Sequence, residues 1–95
     1  MKINDAKDLE YIVDGLTIES DSKEDLDDAR KKRLLAHTFV MVRNQTGMNR
    51  KEFAEWLGIP YRTMQDWELA NSQVPEYVLR LVAYKVMIEK ERRHI

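Results

Sequence analysis

Residues 50 to 68, RKEFAEWLGIPYRTMQDWE, hold two helix-length runs separated only by Gly58, Ile59 and Pro60. A link this short forces the two helices to cross steeply. Such a crossing demands a small residue where the helices touch, a residue tolerant of left-handed backbone in the turn, and apolar side chains facing inward at fixed offsets. Ala54 supplies the small contact, Gly58 the turn, and Phe53, Leu57, Ile59, Met64 and Trp67 the buried side. Asn49 is suited to cap the first helix, Arg50 to Leu57, because its side chain can accept from an otherwise unpaired amide. Pro60 suits a helix start, where a missing donor costs nothing, and opens a second helix from Tyr61 to Leu69.

The flanks read as helices too. Ser22 begins a Ser-x-x-Asp cap, and Lys23 to Gln45 contains no Gly or Pro and places Leu26, Ala29, Arg33, Leu35, Phe39 and Val42 near one face. Gly47 ends this long helix. After a short polar stretch, Pro75 opens a last helix to Arg92, with Tyr77, Leu81, Tyr84 and Ile88 on one stripe and Val78, Val82 and Val86 on another. Asn4 predicts a short amphipathic turn through Leu9, Ile12 and Val13, with Gly15 at its end. No stretch alternates long enough for a sheet core, so the expected class is all-α. With 95 residues and 43% hydrophobic side chains the chain can build one small domain with a thin core, which excludes a two-domain enzyme.

Charge divides the chain. Residues 1 to 28 carry ten acidic side chains against three lysines, a net -7, while the remainder carries 13 basic against seven acidic, a net +6. We therefore read residues 1–21 as an acidic N-terminal arm and residues 22–95 as the helical body. An acidic arm on a basic body fits a nucleic-acid binder, and equally a solvated tail kept for solubility.

The segment TGMNRKEFAEWLGIP, with Gly47 ahead of one helix and Gly58 in the turn, together with the closing Trp67-Glu68, resembles the helix-turn-helix of lambda-repressor-like proteins, the Cro and phage-repressor (XRE-type) family. The resemblance covers Leu34 to Val86, and the first 30 residues have no counterpart in it. It implies a compact bundle of four or five helices in which the helix from Tyr61 reads DNA. It also implies that Arg43 and Glu68 form a structural ion pair beneath the DNA-facing surface. By the same resemblance Tyr61, Arg62 and Asp66 fall on base-contacting positions, and Asn49 and Arg50 on positions that touch phosphate or the outer base.

Side-chain chemistry gives each candidate a role. A helix in the major groove reads bases with its exposed N-terminal half, where Arg62 can fork onto guanine and Gln65 can serve adenine. Asp66 can accept from cytosine or orient Arg62. Tyr61 can stack on a sugar or touch a thymine methyl, and Thr63 joins the same half. Lys51, Asn71, Ser72 and Gln73 are candidates for phosphate contact. The plain alternatives are an i,i+4 surface ion pair for Arg62 and Asp66 and solvated loop residues for the others. Trp56 is expected to pack on the flanking helices, and Met41, Met64 and Met87 to fill the core.

Catalysis has little to stand on. His37 and His94 are far apart, there is no cysteine, no calcium-loop spacing and no Gly-rich phosphate loop, so no enzyme, metal or cofactor is expected. The charged start MKINDAKDLE and the absence of apolar runs beyond four residues predict a cytoplasmic protein with no membrane segment. The expected function is a sequence-specific DNA-binding transcriptional regulator, a repressor on double-stranded DNA that forms a homodimer through its last helix. The alternative is an antitoxin or phage-type adaptor whose arm, with Leu9, Ile12, Val13, Leu16 and Ile18 as apolar anchors, binds a toxin or other partner protein.

Overall fold

A run of lysine, arginine, leucine and alanine free of Gly and Pro makes the first helix, α1, from Asp28 to Asn44. The computed structural model describes residues 12–13 and 28–93, and among these it has four helices and no strand. The others are α2 (Arg50–Leu57), α3 (Tyr61–Glu68) and α4 (Glu76–Glu91). Ile12 and Val13 are helical as well. The predicted Ser22 cap, Leu26, the turn from Asn4, the anchors Leu9, Leu16 and Ile18, and His94 lie outside the described residues.

On α1 the buried face is Leu35, Ala36, Thr38, Phe39 and Val42. Ala29 and Arg33, expected on this face, are exposed. At 100° per residue Arg33 stands about 200° around the helix from Leu35, so the two cannot share the core. Thr38 is tolerated inside because its hydroxyl donates to the Leu34 carbonyl at 2.8 Å.

The turn out of α1 is built by Thr46. Its hydroxyl donates to the Arg43 carbonyl at 2.6 Å and accepts from the Met48 amide at 3.0 Å, with Gly47 at φ 74° between them. Asn49 then caps α2 as expected. Its side chain accepts from the Glu52 amide at 2.8 Å, and the Glu52 carboxylate accepts in return from the Asn49 amide at 2.9 Å. Gly58, at φ 72°, closes α2 in left-handed backbone, and the Ile59 amide reaches back to the Ala54 carbonyl at 3.0 Å. Pro60 and Pro75 occupy the cap positions before α3 and α4. Leu69 caps α3 rather than ending it, and it is exposed.

The core joins Ile12, Leu35, Phe39, Val42, Phe53, Ala54, Met64, Val74, Leu79, Val82, Ala83 and Val86. Phe39 lies edge-on to both Phe53 and Trp67, with ring centroids 5.9 and 5.7 Å away, so α1 grips α2 and α3 through aromatic contact. Trp56, expected to pack on the flanking helices, stacks on Phe53 of its own helix at 5.8 Å and meets α4 through the Lys85 ammonium, 4.7 Å above its ring. Met64 is buried, while Met41 and Met87 pack at the margin.

On α4 the inward face is Leu79, Val82, Ala83 and Val86, a helical i, i+3, i+4, i+7 set. Of the expected stripe, Tyr77, Leu81 and Tyr84 face outward, at 62%, 64% and 49% exposure, and Ile88 is half-buried. Helices α1 and α4 lie side by side and run the same way. An ion pair of 3.0 Å joins Lys31 to Glu76 at one end, and at the other the Lys90 ammonium donates to the Gln45 carbonyl at 3.1 Å.

Candidate nucleic-acid interface

Three helices converge on one carboxylate. Glu68, the last residue of α3, is 1% exposed and accepts from Arg43 of α1 through Nε at 2.8 Å and Nη2 at 3.2 Å. Arg50, the first residue of α2, donates from Nε to the same carboxylate at 3.0 Å. Arg43 also reaches the Met48 carbonyl through Nη1 at 3.0 Å, which fastens the lead-in to α2. Arg43 and Glu68, paired by the sequence reading, are therefore brought together. The participation of Arg50 was not anticipated: it stands 18 residues from Glu68, and no local spacing signals that contact.

This clamp changes what Arg50 can offer. Its side chain keeps 28% exposure, so one edge of the guanidinium is committed to Glu68 while the group still borders solvent. The hydrogen bond to Glu68 holds its pKa above the ordinary arginine value against the opposing effect of burial, and charge attraction to Glu68 and the nearby Tyr61 hydroxyl add to the rise. A raised value on a cation means that the charged form, and the stability it brings, is complete below the ordinary value. It is lost only as pH climbs through the raised one. Across the neutral range Arg50 is a fixed positive charge.

Outward from the clamp, the surface is made by the N-terminal half of α3 and the start of α2. Tyr61 is exposed, the Arg62 side chain is 83% exposed, and Thr63, Gln65 and Asp66 are half-buried. Asn49 and Lys51 are exposed on the adjoining end of α2, and Lys51 and Tyr61 flank a shallow groove floored by Ala54 and Ile59. Asn49 has its side-chain oxygen engaged with its own helix, which leaves capping as its described role. Asn71, Ser72 and Gln73 are exposed on the loop after α3, and the amides of Asn71 and Ser72 both reach the Asp66 carbonyl, at 2.8 and 3.2 Å.

Chemically, this surface presents guanidinium, amide, hydroxyl and ammonium donors over two helix starts whose own dipoles are positive at that end. Such a set suits phosphate and base-edge acceptors. Among the described residues no cluster of His, Cys, Asp and Glu has the makings of a metal site, and no helix is long and apolar enough to cross a membrane. Comparison with protein-family models, curated proteins and solved structures gives no match.

Proposed function

We propose that this chain is a sequence-specific DNA-binding transcriptional regulator, a cytoplasmic repressor of the lambda-repressor-like helix-turn-helix kind that lays α3 in the major groove. The observation that carries this reading is the Glu68 clamp. It locks α2 and α3 to α1 at a fixed angle while leaving Tyr61, Arg62 and Gln65 on the outer side of α3 and the positive end of α2 beside them. A reading helix needs this rigidity, because base-edge recognition depends on side chains held in register with the groove.

One such helix makes too few contacts for useful specificity, so the functional unit is a homodimer on paired half-sites. The outward stripe Tyr77, Leu81 and Tyr84 of α4 supports it as the joining face. Burial of Ile12 in the chain's own core takes one apolar anchor away from a partner protein, which ranks the antitoxin or adaptor reading second.

The test is selection of duplexes from a random pool, followed by binding of variants across a series of salt concentrations. Arg62→Ala should weaken the selected site by about 1 to 3 kcal/mol and spare non-specific binding. Lys51→Ala, at an exposed position outside the clamp, should weaken both alike and lower the salt slope by about one unit. Failure to enrich any sequence, or an Arg62→Ala protein that binds its site as the parent does, refutes the proposal.

A further inference from the structure

We infer that Asp66 governs the base preference of α3 without touching a base: it is a positioning residue that turns the terminal edge of Arg62 toward guanine. The inference rests on the DNA-reading proposal above. Arg62 and Asp66 lie one helical turn apart, with Arg62 Nε 3.5 Å from Asp66 Oδ1. A guanidinium has a side edge that includes Nε and a terminal edge formed by its two Nη groups. In this ion pair Nε is the guanidinium nitrogen that meets Asp66, which leaves the terminal edge to other partners. That edge is the parallel two-donor fork that matches O6 and N7 of guanine, whereas adenine offers one acceptor and one donor at the corresponding places.

The relative exposure of the pair agrees with this division of labour. Arg62 stands out at 83% exposure and Asp66 sits at its root at 30%. Asp66 is itself held from behind: Asn71 Nδ2 is 3.5 Å from the same Oδ1, and the backbone of Asn71 and Ser72 closes on the Asp66 carbonyl. Both contacts of the carboxylate converge on Oδ1, which faces Arg62 and Asn71, so that oxygen serves the protein rather than a base. A brace at the root also removes part of the arginine's rotamer freedom before any base arrives, which lowers the ordering cost of binding.

The experiment compares the parent, Arg62→Ala, Asp66→Ala and Asp66→Asn on the selected duplex and on duplexes carrying guanine to adenine or 7-deazaguanine at each position in turn. Circular dichroism checks that every variant is folded. The parent should prefer guanine at one position of each half-site by about 10- to 100-fold, and Arg62→Ala should abolish that preference. Both Asp66 variants should reduce the same preference at the same base pair by about three- to tenfold, with other positions and non-specific affinity unchanged. A preference shifted at a different base pair would make Asp66 a direct reader and overturn the inference. An unchanged guanine preference would overturn it too, while leaving the DNA-reading proposal standing. A parent with no base preference at all would remove both together.

Discussion

Glu68→Ala is expected to be among the most damaging single substitutions in the chain. The carboxylate is 1% exposed and takes three hydrogen bonds from two guanidiniums, whose side chains are 17% and 28% exposed. Charge-assisted bonds contribute about 1.5 to 3 kcal/mol each, but partial exposure of both arginines screens them, so their sum overstates the loss. Removing one member of a largely buried pair costs about 3 to 5 kcal/mol, because the cations left behind lose their counter-charge. We take about 3 kcal/mol. A domain of this size has about 5 to 14 kcal/mol in all, and each kcal/mol moves its melting point by roughly 4 to 8 °C. Urea unfolding followed by far-ultraviolet circular dichroism should therefore show a midpoint lowered at unchanged slope, and thermal melting a drop of at least about 12 °C. The triple change Glu68→Leu, Arg43→Leu, Arg50→Leu should be less unstable than the sum of its parts. A loss under about 1 kcal/mol for Glu68→Ala, or additive losses in the triple change, would refute the clamp as a structural unit.

Ile12→Ala should cost about 2 to 5 kcal/mol in the same urea assay, since the side chain is fully buried in the core cluster; a loss below 1 kcal/mol would place it outside the core. The parent should sediment as a dimer at tens of micromolar, and Leu81→Glu or Tyr84→Glu should give a folded monomer with weaker binding to the selected duplex. A monomeric parent at that concentration would refute α4 as the joining face.

Legibility in the sequence follows the range of the interaction. Gly58, Asn49 and the two prolines act through backbone one to five residues away, and their helices begin and end within a residue of expectation. The inward side of α2 and α3 was readable in part: Phe53, Ala54 and Met64 are buried, while Leu57, Ile59 and Trp67, also expected inside, are half-buried against the core. Period failed where two apolar stripes competed. On α4, Leu79 and Ala83 complete the buried arc, and a large exposed stripe of Tyr77 and Leu81 obscured them. At the outer surface, the residue types in α3 were legible but their pairing was not. Whether Asp66 faces a base or Arg62, and whether Arg50 is free or clamped, depends on rotamers and on a contact 18 residues distant.

The parallel course of α1 and α4 has an electrostatic cost that antiparallel neighbours avoid. Aligned peptide dipoles set like partial charges side by side, positive at both starts and negative at both ends. The terminal side chains answer this at each end. Glu76, in the first turn of α4, sets a negative charge at that helix's positive start and offsets the Lys31 ammonium that α1 brings to the same end. Lys90, in the last turn of α4, places its ammonium on the Gln45 carbonyl just past α1, so one cation serves the negative ends of two helices. These pairs are exposed and therefore screened by salt. Salt screens the dipole repulsion as well, so the alignment of α4 with α1 rests on the buried face of Leu79, Val82, Ala83 and Val86 and holds as ionic strength rises, as does the largely buried Glu68 clamp.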